Sequence, residues 1–270
     1  MNSVVLAAAT GGEGEGGFHA PSIADFYPPA VLFEGTAFEL NRLMLVRLIA
    51  ALALLLVFVI AARRARVVPG RFQAAIEYVL DFCRNSLVYE VLGEERGRKY
   101  VPMITTIFCA ILFFNLTGVI PGLNIASTGL IGLPIVFAAW VYVTYLAAGF
   151  REHGFGGFLK TSLFPPGVPA PLYVLLTPVE FLQVFVIRPV TLVIRLLANM
   201  IAGHLMLALS FAATNFLLLE AAGGMKLFGV VTFAGGFAVT LLEIFVGVLQ
   251  AYVFAILTAL YINMSVESEH

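Results

Sequence analysis

Residues 172–219 and 225–264 form two runs of 48 and 40 residues with no loop-like break inside either. At 1.5 Å per residue they would make helices about 70 and 60 Å long, roughly twice the ~30 Å hydrocarbon core of a bilayer. Helices of that length must tilt steeply, bend or break to remain in lipid. Pro178 and Pro189 are the expected bend points. The composition points the same way, with 61% hydrophobic and only 11% charged residues and a mean hydropathy of +0.99. Soluble domains average about 45–50% apolar and 25% charged residues. A chain of this size cannot hide so much apolar surface in a soluble core. A cytosolic enzyme, a secreted disulfide scaffold and a disordered tail are thereby excluded, leaving a polytopic membrane protein.

The net charge of −1 conceals an asymmetry. Residues 1–41 carry Glu13, Glu15, Asp25, Glu34 and Glu39 and no Lys or Arg, whereas residues 63–100 carry Arg63, Arg64, Arg66, Arg71, Arg84, Arg96, Arg98 and Lys99. A basic loop between apolar spans is an orientation signal, not a nucleic-acid site. The expected fold is all-α: five crossings near residues 41–62, 101–120, 130–150, 172–219 and 225–264, in one membrane domain, 41–270. Residues 1–40 read as an extracytoplasmic segment rich in Gly and Pro, and residues 1–10 lack the charged start of a signal peptide. In residues 71–92, Phe72, Ile76, Val79, Cys83 and Leu87 share one face opposite Gln73, Glu77, Asp81 and Arg84, predicting an amphipathic helix on the cytoplasmic surface. Pro165, Pro166, Pro169 and Pro171 predict a non-helical loop. Five crossings put the N-terminus outside and the C-terminus in the cytoplasm, with ten of the fifteen basic residues on the cytoplasmic side. Cys83 and Cys109 have no metal or redox spacing, and Cys109 reads as a packed thiol.

Ionisable groups within hydrocarbon are costly, yet the last two helices carry Glu180, Arg188, Arg195, His204 and Glu243, with Gln183, Asn199 and Gln250 beside them. So many on two adjacent helices predict a polar conduction path. Arg188, Arg195 and Asn199 are seven and four residues apart and share a face, as do Glu243 and Gln250. In an antiparallel hairpin, residues at equal depth have a constant sum of numbers. Arg195 with Gln250, His204 with Glu243 and Glu220 with Lys226 give sums of 445–447, centred on a turn at Gly223-Gly224. His204 and Glu243 are therefore expected to face each other toward the outside, Arg195 and Gln250 to lie deeper, and Glu220 and Lys226 to pair at the tip. His204 and Glu243 can exchange protons near neutral pH. Arg195 cannot, because guanidinium stays protonated, so it reads as a barrier between two half-paths. A proton could then pass only on a carboxylate carried past Arg195 by another protein.

These residues resemble those of a known family, subunit a of the rotary F-type ATP synthase (bacterial type). The likeness rests on Arg188-Pro189, on Arg195-Leu196-Leu197-Ala198-Asn199-Met200-Ile201-Ala202-Gly203-His204-Leu205, and on Glu243 through Gln250-Ala251-Tyr252-Val253-Phe254 to Leu257-Thr258 and Tyr261, with Phe114-Asn115-Leu116-Thr117-Gly118 as a weaker block. The resemblance implies a non-catalytic, proton-translocating stator subunit in the bacterial plasma membrane. It implies as partners a rotor ring of small hairpin subunits (the c-ring), peripheral-stalk b-type subunits and the rest of the complex, and it implies no cofactor or metal. Arg195 corresponds to the essential arginine, and His204 and Glu243 to the outer half-channel pair. Ala198 stands where many members have glycine. Glu180 lies near an inner half-channel acid of some members, one residue out of register. Arg188 is expected to snorkel or bind lipid, and Asn115 to tie helices together. The competing reading, a stand-alone secondary transporter or ion channel, lacks support because the first three spans carry neither intramembrane acids nor a matching broken pair.

Overall fold

The computed structural model of the chain describes residues 30–32, 40–120, 128–164, 170–220 and 224–267. A small antiparallel pair, β1 (Ala30–Leu32) with β2 (Leu40–Asn41), precedes the helices of what is otherwise the expected all-α fold. The rest of residues 1–40 lies outside the described residues. Asn41 then caps helix α1 (Arg42–Arg63), its Oδ1 accepting the Met44 N–H at 2.9 Å. Leu43, Val46 and Ala50 are α1's buried residues. They form a narrow buried stripe, while the flanks carrying Leu48, Leu52 and Leu55 remain exposed. A surface of that kind suits lipid and not water.

Helix α2 (Arg71–Phe82) continues through a π-helical segment, Cys83–Tyr89, into short turns that end before Val101. Its apolar positions divide: Phe72 is exposed, whereas Cys83 and Leu87 are fully buried against the core. Helix α3 (Val101–Leu116) has Pro102 in its first turn, where a missing N–H costs nothing. It packs between α1 and the last helix, with Ile104, Ile107 and Ile111 inaccessible to solvent. At 16 residues, or about 24 Å, it is shorter than the expected span 101–120. Thr117 Oγ1 turns back to the Phe114 carbonyl at 2.7 Å and the Gly118 N–H bonds the Asn115 carbonyl, closing the helix four residues early. Four other stretches, Arg42–Arg63, Gly132–Leu163, Tyr173–Leu219 and Met225–Val266, are long and apolar enough to cross a membrane.

Helix α4 (Gly132–Leu163) is longer than the expected 130–150 and includes a kink at Gly154, whose φ of 69° is open to glycine but strained for other residues. Beyond the kink the chain folds back, so that the Phe158 ring lies directly on Gly149 and edge-on to Tyr145 and Phe150. A side chain at 149 would occupy the space of that ring. Of the proline-rich loop, Pro171 forms part of a 3₁₀ turn, Ala170–Leu172, instead of being wholly irregular; Pro165, Pro166 and Pro169 lie outside the described residues.

The fourth membrane stretch is one nearly continuous helical rod: α5 (Tyr173–Leu182), a π turn (Gln183–Ile187), α6 (Arg188–Asn215) and a second π turn (Phe216–Glu220). Pro189 cannot donate to residue 185, and its ring crowds that carbonyl. The widened turn just before it absorbs the mismatch without ending the rod. Pro178 is carried inside α5. The last helix, α7 (Met225–Val266), has 42 residues. It forms the centre of the bundle, packing against α3, α4 and α6.

Candidate functional site

Helices α6 and α7 form the expected antiparallel hairpin, and small residues set how closely they approach. A Cβ built on Gly236 would stand 3.3 Å from the Ser210 Cβ, and one on Gly229 would collide with Leu218 at 2.6 Å. The hydroxyls of Thr214 and Thr232 lie 3.1 Å apart. These facing pairs, together with Gly203 and Glu243, have numbers adding to 446 or 447, the register read from the sequence. The Gly223 part of the turn and the side chain of Glu220 lie outside the described residues, and with them the expected pair with Lys226.

Glu243 is buried, at 6% exposure, and its carboxylate rests on Gly203, where a Cβ would come within 2.9 Å of Oε1. Neither carboxylate oxygen has a hydrogen-bond partner among the described residues. A buried carboxylate without partners is expensive to keep charged. Half-buried His204 follows Gly203 directly on α6. Deeper in the hairpin, the Asn199 amide donates to Gln250 Oε1 at 2.8 Å. The Gln250 partner is thus Asn199, not the Arg195 expected from equal depth. Leu192, Leu196 and Met200 are the buried stripe of α6, and Asn199 lies nearer that stripe than Arg195 does. The rule of sums fixes depth but not azimuth.

Arg195 is half-buried near the midpoint of the rod. Among the described residues its guanidinium has neither an ion-pair partner nor a hydrogen-bond acceptor. Ala198 and Ala202 beside it are exposed, and Ile194 and Met206 continue the open stripe. Ala202 lies seven residues on and so only about 20° around the helix. The arginine therefore stands at the border between the α7 contact and an uncovered apolar face with two alanines at its centre.

Asn115 bridges three segments: its Nδ2 donates to the Gly247 carbonyl at 3.2 Å and its Oδ1 accepts from Thr128 at 2.8 Å. Glu180 is half-buried on α5, ahead of the π turn, and shares no described contact with the hairpin residues. Arg188 does not snorkel. Its guanidinium sits over the rings of Tyr145 and Tyr261, 5.8 and 5.5 Å from their centroids, and donates to Tyr145 Oη at 3.3 Å. This cation–π cradle satisfies the charge within the bundle. Sequence reading missed it because the two tyrosines come from α4 and α7. It also missed Arg47, which donates to the Leu130 carbonyl at 3.3 Å and joins α1 to the start of α4. Among the described residues there is no cluster of His, Cys, Asp or Glu able to hold a metal ion.

Comparison with known proteins identifies the family. Residues 44–263 match the family described as ATP synthase A chain. The chain is similar to the ATP synthase subunit a of Rhodococcus erythropolis, 46% identical over 252 residues that cover 93% of this chain and 92% of the relative. It is also similar to the subunit a of Nocardioides sp., 38% identical with 96% of each chain covered, and to that of Pseudarthrobacter chlorophenolicus, 34% identical over 98% of this chain and 99% of the relative.

Proposed function

The chain belongs to the ATP synthase A chain family and is a multi-pass membrane protein, and from that premise we propose that it is the proton-channel stator subunit of an F-type ATP synthase. Two half-channels lead to the carboxylate of a rotor ring, Arg195 separates them, and proton flow through them is coupled to ATP synthesis. One observation carries the proposal: the half-buried Arg195, without a partner among the described residues, borders an uncovered stripe on α6 that runs through Ala198 and Ala202. A fixed cation at membrane depth demands a counter-charge, and the open stripe leaves room for one from outside the chain. A ring carboxylate stepping past Arg195 would meet that demand once per step.

In this reading, protons enter through His204 and Glu243. The carboxylate on Gly203 takes up a proton and passes it toward the ring, while Asn199 and Gln250 hold the polar wall beside Arg195. Glu180, on the other side of the π turn, serves the inner half-channel. Asn115 keeps α3 and α7 in register and conducts nothing. The chain moves ions and catalyses no bond chemistry itself. Residues 41–270 act as one membrane domain in the bacterial plasma membrane, with α3 as a short fifth crossing and α2 lying on the cytoplasmic surface. Residues 1–40 lie outside and the C-terminus inside, following the distribution of basic residues. Besides the ring, the partners are peripheral-stalk b-type subunits and the soluble ATPase head.

Affinity purification of the tagged chain in mild detergent tests the assignment. The expected outcome is co-purification with a ring of small hairpin proteins and a soluble ATPase head, in a complex that hydrolyses ATP. A monodisperse chain that transports solute alone would favour the transporter reading instead.

A further inference from the structure

Where α1 ends, Arg63, Arg64 and Arg66 line a groove of about 810 Å³ whose opposite wall is the start of α2, at Gly70, Phe72 and Gln73. None of the three guanidiniums has a carboxylate partner among the described residues. The groove has a fixed frame, because Gln73 clamps the connection by two hydrogen bonds. Its Oε1 accepts the Arg66 N–H at 3.0 Å and its Nε2 donates to the Arg66 carbonyl at 2.9 Å. Helix α2 opens on Gly70 without a side-chain cap or an acidic residue in its first turn. Its N-terminal N–H groups and dipole therefore add to the positive field of the arginines. Val67, Val68 and Phe72, all exposed, flank the charges. Charge without apolar surroundings would suit a soluble anion. Charge beside bare valines and a phenylalanine, at the end of a membrane helix, suits an amphiphile.

We propose that this groove binds the phosphodiester headgroup of an anionic phospholipid, with Arg64 and Arg66 on the phosphate and Val67, Val68 and Phe72 among the upper acyl carbons. Orientation alone would require basic residues near the end of α1. It would require neither the groove, nor the Gln73 clamp, nor an uncapped helix start facing the arginines. A bound lipid would hold α2 against the membrane surface and fix the angle at which α1 leaves it. The inference is independent of the proposed proton path.

Native mass spectrometry of the full chain, titrated with phosphatidylglycerol or phosphatidylcholine, tests the site. The wild type should bind phosphatidylglycerol at least about tenfold more tightly, since each guanidinium of the groove placed on the lipid phosphate contributes about a fivefold gain, whereas Arg96 and Arg98 do not line it. Arg64→Gln with Arg66→Gln should weaken phosphatidylglycerol about 30-fold and leave phosphatidylcholine unchanged. Arg96→Gln with Arg98→Gln, which removes the same charge elsewhere, should change neither by more than about twofold. Equal loss in both double variants, no preference for phosphatidylglycerol, or displacement of the lipid by excess inorganic phosphate would overturn the proposal. In case the double variant does not fold, photoreactive phosphatidylglycerol in vesicles of the wild-type chain gives a separate reading. Labels concentrated between Ile60 and Gln73 support the site, and labels scattered over the membrane surface contradict it.

Discussion

Replacing Arg195 with alanine is expected to abolish ATP-driven proton pumping in membrane vesicles and to leave a passive proton leak. Two properties of the side chain produce this result. Guanidinium does not deprotonate in proteins, so in the proposed mechanism it repels a proton moving between the half-channels and attracts the ring carboxylate that carries it. Alanine removes both effects at once: the carboxylate loses its counter-charge, and the barrier to direct passage disappears. Arg195 has no acceptor or carboxylate partner among the described residues. Its loss therefore orphans no internal group, and the hairpin should retain its thermal stability. Acidification of vesicles on ATP addition measures pumping, and decay of an imposed pH gradient measures the leak. Wild-type acidification by the variant would refute the barrier role.

Glu243→Gln should lower pumping by about 10²-fold, the scale of a lost positioned proton-transfer group. The carboxylate is buried on Gly203 without a described hydrogen-bond partner, so an amide of the same shape fits the space but cannot exchange a proton. Assembly and thermal stability should be unchanged or slightly improved, because the substitution removes the cost of burying a charge. His204→Ala should slow entry through the same half-channel by a smaller factor, again without unfolding the complex. Full pumping by Glu243→Gln would remove the carboxylate from the path. A variant that pumps poorly because it fails to assemble would be recognised by its lowered melting temperature.

Much of this architecture can be read from residue order because the membrane demands it. Apolar length revealed the two long helices, and Gly229, Gly236 and the threonines between them bear out the hairpin register deduced from polar residues alone. Features that depend on azimuth or on distant partners were not legible. Equal depth suggested Arg195 for Gln250, but the buried stripe through Leu196 and Met200 turns Asn199 toward it instead. The cradle of Arg188 requires two tyrosines from helices far apart in sequence. The π turns at Gln183–Ile187 and Phe216–Glu220 leave the apolar pattern intact and so give no warning in it. Cys83 and Cys109 have no telling spacing, yet both are buried free thiols where the π segment after α2 packs on α3. The early stop of α3 comes from local bonds of Thr117 and Gly118 that hydropathy cannot register.

The central claim is that the open stripe beside Arg195 faces the ring. Photocrosslinking from position 202 tests it most directly, since Ala202 is exposed on that stripe and makes no described side-chain hydrogen bond. A photoreactive residue in place of Ala202 should form adducts with the small hairpin subunits of the ring in the assembled complex. The same residue in place of Leu52, exposed on α1, should form none. Ring adducts from position 52 and none from position 202 would contradict the claim.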